Sequence, residues 1–276
     1  MTAHSLRDRV VIITGGARGI GFATARRLIG LGAKVAIGDI DETRLLAAAD
    51  ELGIEVAGRL DVTDAESFRA FYAMVTDRLG APYALINNAG IMPIGPTLEE
   101  PEDVARRMVD INLHGVITGT KIALDSMLPR RSGHIINIAS MAGEAFVPGA
   151  ATYCATKAAV IGFTEAVRLE HRTSGVRVSL VLPTFTNTEL VTGTTGPRGF
   201  RNAEPEEIAD AIAELLHKPR ARAYVTKVMG RVLAAQRVVP RPVSEGLSRF
   251  LGGEEMFLTG VDSAQRRAYE ERARKS

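Results

Sequence analysis

Two side chains stand out because their types and spacing suit proton transfer. Tyr153 and Lys157 are four residues apart in Tyr153-Cys154-Ala155-Thr156-Lys157. They open a run, residues 153–170, with helical apolar spacing and no proline. Residues four apart share a helix face, so both side chains project the same way. A free phenol ionises near pH 10, too high for a base or a ready acid at neutral pH. An ammonium beside it favours the phenolate and moves the phenol toward the range where proton transfer is efficient. The same spacing also describes a surface Tyr and a surface Lys with no partner. The motif therefore takes its weight from its surroundings.

A second group of residues suits a nucleotide. Val10-Val11-Ile12-Ile13 is a continuous apolar run, as in a strand buried on both faces. Thr14-Gly15-Gly16-Ala17-Arg18-Gly19-Ile20-Gly21 follows it, and a helical pattern continues to Leu31. Gly15 allows the tight turn, Gly19 lets backbone approach a pyrophosphate, and Gly21 lets the helix pack closely on the sheet. The helix start offers N–H groups and a positive dipole end to phosphates. Asp39 ends the next apolar run, eighteen residues after Gly21, the spacing of a ribose-binding acid. Its carboxylate accepts from ribose hydroxyls and repels a 2′-phosphate, which favours NAD over NADP. Arg18 pulls mildly the other way, as a guanidinium able to bind that phosphate. Asp39 also fits a plain helix-capping acid before Glu42.

These groups need a scaffold, and the rest of the chain alternates strands and helices. Helical patterns cover residues 41–52, 65–79, 101–128, 153–170 and 205–216. Apolar runs cover residues 54–60, 84–86, 134–140, 176–182 and 223–229. Such alternation implies right-handed crossovers and a parallel sheet. Ligands on such sheets bind at the carboxyl ends of strands. The glycine loop, Asp39, Asp61-Val62, Asn87-Asn88-Ala89-Gly90 and Ser140 all fall there. Asp61 fits two roles equally, an adenine neighbour or a turn residue together with Asp64. The long helix contains Asn112, of a residue type that within helices usually satisfies itself locally. Residues 184–202 have no period, and a loop this long in a compact domain is usually a lid or a mobile segment.

Composition removes several function classes. The chain has 276 residues, 46% apolar, enough for one large core. A net charge of +2 is too small to argue for nucleic acid or an acidic membrane surface. The one cysteine, Cys154, forbids an internal disulfide and a Cys-rich zinc site, so no metal is expected. It is compatible with a reducing cytoplasm. No signal peptide and no transmembrane run is visible.

Taken together, Thr14 to Gly21, Asn87 to Gly90, Asn112, Ser140 and Tyr153-x-x-x-Lys157 resemble the short-chain dehydrogenase/reductase family. Ser140 stands thirteen residues before Tyr153, as that pattern requires. The resemblance covers about residues 5–230, and its glycine spacing is similar to the single-domain oxidoreductase branch. It implies a three-layer α/β Rossmann fold: one domain, with a doubly wound, mostly parallel seven-stranded sheet and a C-terminal extension over 231–276. By resemblance Tyr153 is the general acid/base, and Ser140 binds the substrate oxygen. Lys157 holds the nicotinamide ribose and lowers the Tyr153 pKa. Asn112 holds a relay water. Gly15, Arg18, Gly19, Ile20, Gly21, Asp39, Asp61, Val62, Asn88, Ala89, Gly90, Pro183, Thr186 and Thr188 join Tyr153 and Lys157 around NAD, with NADP the lesser candidate. A positively charged nicotinamide favours phenolate in the oxidative direction.

The expected activity is interconversion of a secondary alcohol and a carbonyl compound. Met141, Phe146, Val147, Phe185 and Leu190 suggest an apolar substrate pocket. A non-catalytic nucleotide-binding protein on the same fold is the first rival. The intact Asn112, Ser140, Tyr153 and Lys157 set argues against it. An NAD-using epimerase or dehydratase is the second, and the glycine spacing argues against that. A homodimer or homotetramer is expected.

Two departures from the family are visible. Pro183-Thr184 replaces the usual Pro-Gly. The chain reads Lys227-Val228-Met229-Gly230 where a V-D-G-G-like end is common, and it runs on to Ser276. Leu233, Val238, Val239, Val243, Leu247, Phe250 and Leu251 form an apolar set broken by Pro240 and Pro242. Residues 262–276 form a charged, helix-prone tail carrying Arg266, Arg267, Arg272, Arg274 and Lys275. A solvated surface helix is the plain expectation for it. A partner-subunit arm, a flap over the cleft and a peripheral membrane contact are the sharper alternatives.

Overall fold

Val10–Thr14 forms β1 and is buried along its whole length. Val10 and Ile12 face one apolar cluster while Val11 and Ile13 face another. A strand buried on both sides belongs inside a sheet layered by helices. The computed structural model describes residues 6–196, 198–199, 201–226, 246 and 255–275. It shows this sheet with seven strands: β1, β2 (Lys34–Asp39), β3 (Val56–Arg59), β4 (Ala84–Asn87), β5 (Gly133–Ile138), β6 (Val176–Pro183) and β7 (Arg222–Val225). Their order is β3-β2-β1-β4-β5-β6-β7, and every pairing among them is parallel.

Helices cover both faces: α1 (Gly19–Ile29), α2 (Glu42–Leu52), α3 (Ala65–Leu79), α4 (Glu102–Val109), α5 (Gly115–Met127), α6 (Ala151–Glu170), α7 (Pro205–His217) and α8 (Ser263–Lys275). This is the doubly wound α/β arrangement. The strand order reverses between β1 and β4, where such sheets bind ligands. The glycine loop after β1 and Asn88–Gly90 after β4 flank that point.

Several elements differ from their sequence patterns. The expected helix over 101–128 is interrupted by a π-helical turn, Asp110–His114, between α4 and α5. Inserted π turns favour functional sites, and this one holds Asn112. β3 starts two residues later than its apolar run, because Gly53 takes a left-handed φ of 62° and caps α2. Ile54 N–H then still bonds to Ala49 O at 2.9 Å. β5 ends at Ile138, so Ser140 lies just beyond it and caps a short 3-10 turn, Met141–Gly143. The run expected over 223–229 gives only β7, and residues 227–229 lie outside the described residues. The loop over 184–202 contains a 3-10 turn, Glu189–Val191, and a bridge from Thr186 to Ala203.

The tail is the largest correction. Leu233, Val238, Val239, Pro240, Pro242, Val243, Leu247, Phe250 and Leu251 lie outside the described residues. α8 is described, and it is not a solvated surface helix. Arg266 is 2% exposed, and Tyr269 and Ala273 are also buried. Their spacing of three and four places them on one face. That face turns inward although the helix is rich in charge. No described helix is long and apolar enough to cross a membrane.

Candidate active site

The cofactor side is built by short-range fit. Gly15 has φ +64°, and a Cβ there would lie 2.9 Å from Ala89 Cα. The turn therefore needs glycine for both conformation and space. Gly16, rather than Gly21, lets the loop lie on the sheet, since its Cβ would meet Ile37 Cβ at 2.6 Å. A Cβ at Gly21 would strike the Gly15 carbonyl oxygen at 2.1 Å, so Gly21 keeps the loop's own turn. Thr14 ties the two loops of the switch point together. Its Oγ1 accepts from Asn88 N and Ala89 N, each at 3.0 Å. Asn88 Nδ2 returns bonds to Thr14 O and Gly15 O. Arg18 precedes α1 without a side-chain cap, and Gly19, Ile20 and Gly21 of its first turn carry no acid. The leading N–H groups are thus left to an anion.

Asp39 reaches back to this loop. Its Oδ2 accepts from Ala17 N and its Oδ1 from Asp41 N, each at 3.1 Å. Burial raises its pKa, while the N–H bonds from Asp41 and Ala17 and the charge on Arg18 oppose that without cancelling it. Asp41, not Asp39, caps α2, through Arg44 N. Two N–H bonds leave a carboxylate about half of its acceptor capacity. Arg18, the guanidinium able to bind a 2′-phosphate, is already engaged. It bonds to Asp41 and, through Nη1 at 3.0 Å, to Glu189. Asp61 takes the turn role and also stands at a cleft. It lines a cleft with Gly15, Asp39, Val62 and Ala89. Its Oδ1 also accepts from Thr63 N and Oγ1, while Asp64 caps α3.

The proton-handling side groups Ser140, Tyr153, Lys157 and Asn112. The Ser140 hydroxyl neighbours the Tyr153 phenol and favours its ionisation, and its Oγ accepts from Ala142 N at 3.1 Å. Lys157 Nζ lies 5.6 Å from the Tyr153 ring centre and donates to Ile138 O at 3.0 Å. Asn112 Oδ1 accepts from Ile91 N at 2.8 Å, and its Nδ2 donates to Ile91 O and Thr156 Oγ1. A Cβ at Gly90 would lie 3.1 Å from Asn112 Oδ1 and 3.6 Å from Lys157 Nζ. A polar ladder holds β4, β5 and α6 beneath them: Asn87 Nδ2 donates to Asn137 Oδ1, and Asn137 Nδ2 to Thr164 Oγ1.

The electrostatics correct one expectation. The spacing predicts a phenol lowered by its ammonium neighbour. In the structure burial sets the direction at both groups. The Tyr153 phenol is pushed up to about 12 by burial, against the pull of the neighbouring Ser140 hydroxyl. The Lys157 ammonium is pushed down to about 8 by burial.

The substrate side comes from distant segments. Pro183 ends β6, and Thr184 N–H bonds back to Val225 O at 2.7 Å. Thr184 Oγ1 is buried and has no partner among the described residues. Thr186 is buried, its Oγ1 bonding to Thr184 O. Thr188 sets its methyl group 3.3 Å from where a Cβ at Gly19 would stand. Phe146, expected in the pocket, is 70% exposed. Met141, Val147, Phe185 and Leu190 do pack inward. Sequence reasoning missed Met92, Glu189, Arg266 and Tyr269. Tyr269 is the only aromatic in residues 262–276, which was the available signal.

A family model described as short chain dehydrogenase matches residues 9–197. The chain belongs to the short-chain dehydrogenase family. Like that family it is an oxidoreductase of CH–OH or carbonyl groups that uses NAD(P). An acetoacetyl-CoA reductase of Synechocystis is 38% identical over 247 residues, 85% of this chain and 99% of the relative. A meso-2,3-butanediol dehydrogenase of Serratia marcescens is 35% identical, covering 75% of this chain and 87% of its own. A 2,5-dichloro-2,5-cyclohexadiene-1,4-diol dehydrogenase of Sphingobium indicum is 39% identical, covering 68% and 77%. The short-chain dehydrogenase match stops at residue 197, so α7, β7 and α8 lie beyond it.

Proposed function

We propose that this short-chain dehydrogenase uses NAD to interconvert an uncharged, largely apolar secondary alcohol and its ketone. The observation that carries the reading is the half-buried Ser140 beside the buried Tyr153 and Lys157, at the carboxyl end of β5 and the start of α6. In oxidation Tyr153 takes the hydroxyl proton, and in reduction it returns it. Ser140 donates to the substrate oxygen and so favours the developing alkoxide. The Lys157 ammonium stabilises the Tyr153 phenolate by charge. Of its three N–H donors one is used on Ile138 O, which leaves donors for the nicotinamide ribose. Asn112 fixes Ile91, and with it the strand-end loop that carries Asn88, Ala89 and Gly90.

The residues present fit the cofactor. Gly15, Gly16 and Gly21 let the loop fold tightly against Ala89, Ile37 and itself, which brings the uncapped start of α1 to the strand ends, and the orphaned Thr184 Oγ1 is a polar atom suited to a carboxamide. When bound, NAD supplies the ring that carries the hydride. Asp39 and Asp61 line the adenosine side, and two carboxylates there disfavour a 2′-phosphate. Arg18, held by Asp41 and Glu189, offsets little of that repulsion.

Met92, Met141, Val147, Phe185, Leu190 and Phe257 support an apolar substrate, since each packs inward on the Tyr153 side of the sheet. Turnover of a panel of secondary alcohols with NAD⁺ and NADP⁺ tests the reading. Lipophilic alcohols should outpace short polyols, with NAD⁺ preferred by at least about tenfold in kcat/KM. Faster polyols would overturn the substrate class, and an NADP⁺ preference would overturn the role of Asp39. Absence of net NADH formation would leave only the non-catalytic or epimerase rivals. A homodimer through α5 and α6 in a reducing cytoplasm completes the proposal. Light scattering at micromolar concentration that returned a monomer would contradict the dimer.

A further inference from the structure

Met92 is the point where the C-terminal helix meets the active site. It follows Gly90 by two residues, and Gly90 borders Asn112 and Lys157. Both backbone groups of Met92 are bonded by α8. Its N–H donates to Tyr269 Oη at 2.6 Å, and its carbonyl accepts from Arg266 Nη2 at 2.5 Å. Arg266 also donates through Nη1 to Leu190 O and Thr192 O, and through Nε to Glu270. A guanidinium only 2% exposed thus joins the loop after β4, the loop after β6 and its own helix. Its plane also lies 4.8 Å from the Tyr269 ring centre, holding that ring in place.

Two further contacts seal the same side. The Phe257 ring stacks on Phe185 with centres 5.3 Å apart. Gly149 lies so close to Phe257 that a Cβ there would stand 2.7 Å from its carbonyl oxygen. At the other end of α8, Arg272 shares the Glu189 carboxylate with Arg18 of the glycine loop. Tyr269 itself is buried in the cluster that contains Tyr153, near enough that charge on Tyr153 opposes ionisation of its phenol. Its oxygen accepts from Met92, so its own O–H remains available as a donor.

We propose that α8 is the specificity-determining wall of the substrate pocket, with Tyr269 facing the substrate beside Tyr153 and Arg266 acting as the positioning residue that pins the wall. The Tyr269 O–H suits a second oxygen on an otherwise apolar alcohol, such as a hydroxyketone or a diol. The proposal deepens, and rests on, the oxidoreductase reading of Tyr153.

The test has two arms. In the first, the kcat/KM values for 2-octanol, cyclohexanol and trans-1,2-cyclohexanediol are compared in wild type, Tyr269→Phe and Tyr269→Ala. Tyr269→Phe should lower the diol-to-cyclohexanol ratio at least about fivefold, and Tyr269→Ala should raise the 2-octanol-to-cyclohexanol ratio by a similar factor. NADH Kd should stay within about twofold in both, because the hydrogen bond of Tyr269 goes to Met92, outside the residues assigned to the cofactor. Arg266→Lys should raise the alcohol KM several-fold with kcat little changed, a split that general destabilisation does not produce. Unchanged ratios in both Tyr269 variants would overturn the proposal.

The second arm needs no turnover. Amide exchange of the wild type is followed with NADH alone and with NADH plus 2-hydroxycyclohexanone. Added protection of residues 263–275 by the ketone supports the wall, and no change there overturns it. Wild type inactive with every alcohol would refute the oxidoreductase reading, and the exchange arm would still decide the role of α8.

Discussion

The cofactor half and the substrate half of this site hold their polar groups in different ways. On the cofactor side most bonds stay within one stretch of the chain, between residues 14 and 89. Asp39 accepts from Ala17 and Asp41, and the glycine loop turns on itself. The Thr14–Asn88 latch crosses the switch point, and Arg18 reaches out to Glu189. On the substrate side the bonds join segments far apart. Met92 meets Arg266 and Tyr269 across 174 and 177 residues. Construction within one stretch of the chain suits one ligand, the dinucleotide. Long-range construction lets the wall facing the substrate change without disturbing the cradle.

Breaking the proton-handling group should give a large effect on the substrate side. Lys157→Ala should lower kcat/KM for alcohol oxidation at neutral pH by about tenfold or more. It should also change the pH profile. In wild type the rate should climb about tenfold per pH unit while phenolate is scarce, and bend above about 8, where Lys157 loses its proton. The variant should continue climbing to higher pH, because the phenolate has lost its cation. An unchanged profile would remove Lys157 from the mechanism.

Changing Asp39 should alter the cofactor half alone. Asp39→Ser should narrow the preference for NAD over NADP by about tenfold, roughly 1.4 kcal/mol, with the order of alcohols unchanged. Paired kinetics with both cofactors check this. A shift in alcohol preference would show that the halves are not separable.

The weakest effect is expected where the halves touch. Glu189 serves Arg18 and Arg272, and all three side chains are partly exposed. Exposed pairs contribute little, so Glu189→Gln should cost under about 1 kcal/mol in thermal unfolding. A larger loss would mean that α8 and the glycine loop act as one unit.

What could be read from the sequence follows the same division. The glycine loop, Asp39 and the Tyr153–Lys157 spacing were legible because each depends on residues close in the chain. The inner strands were legible because a strand buried on both faces is largely apolar, whereas the edge strands β3 and β7 are only partly buried and were bounded less well. The π turn at Asn112 was not, since it accompanies bonds to Ile91 made only after folding. The inward face of α8 was hidden because Arg266, Tyr269 and Ala273 sit in a charged stretch. The direction of the Tyr153 shift was misread because burial is a tertiary property that spacing does not report.

The central claim is that one phenol handles the proton at a site whose cofactor cradle is built independently of it. Tyr153→Phe tests it most directly, with alcohol oxidation and NADH binding measured on the same preparation. Turnover should fall by about a hundredfold or more, while NADH Kd stays within about threefold of wild type. Turnover close to wild type with NADH still bound would contradict the account.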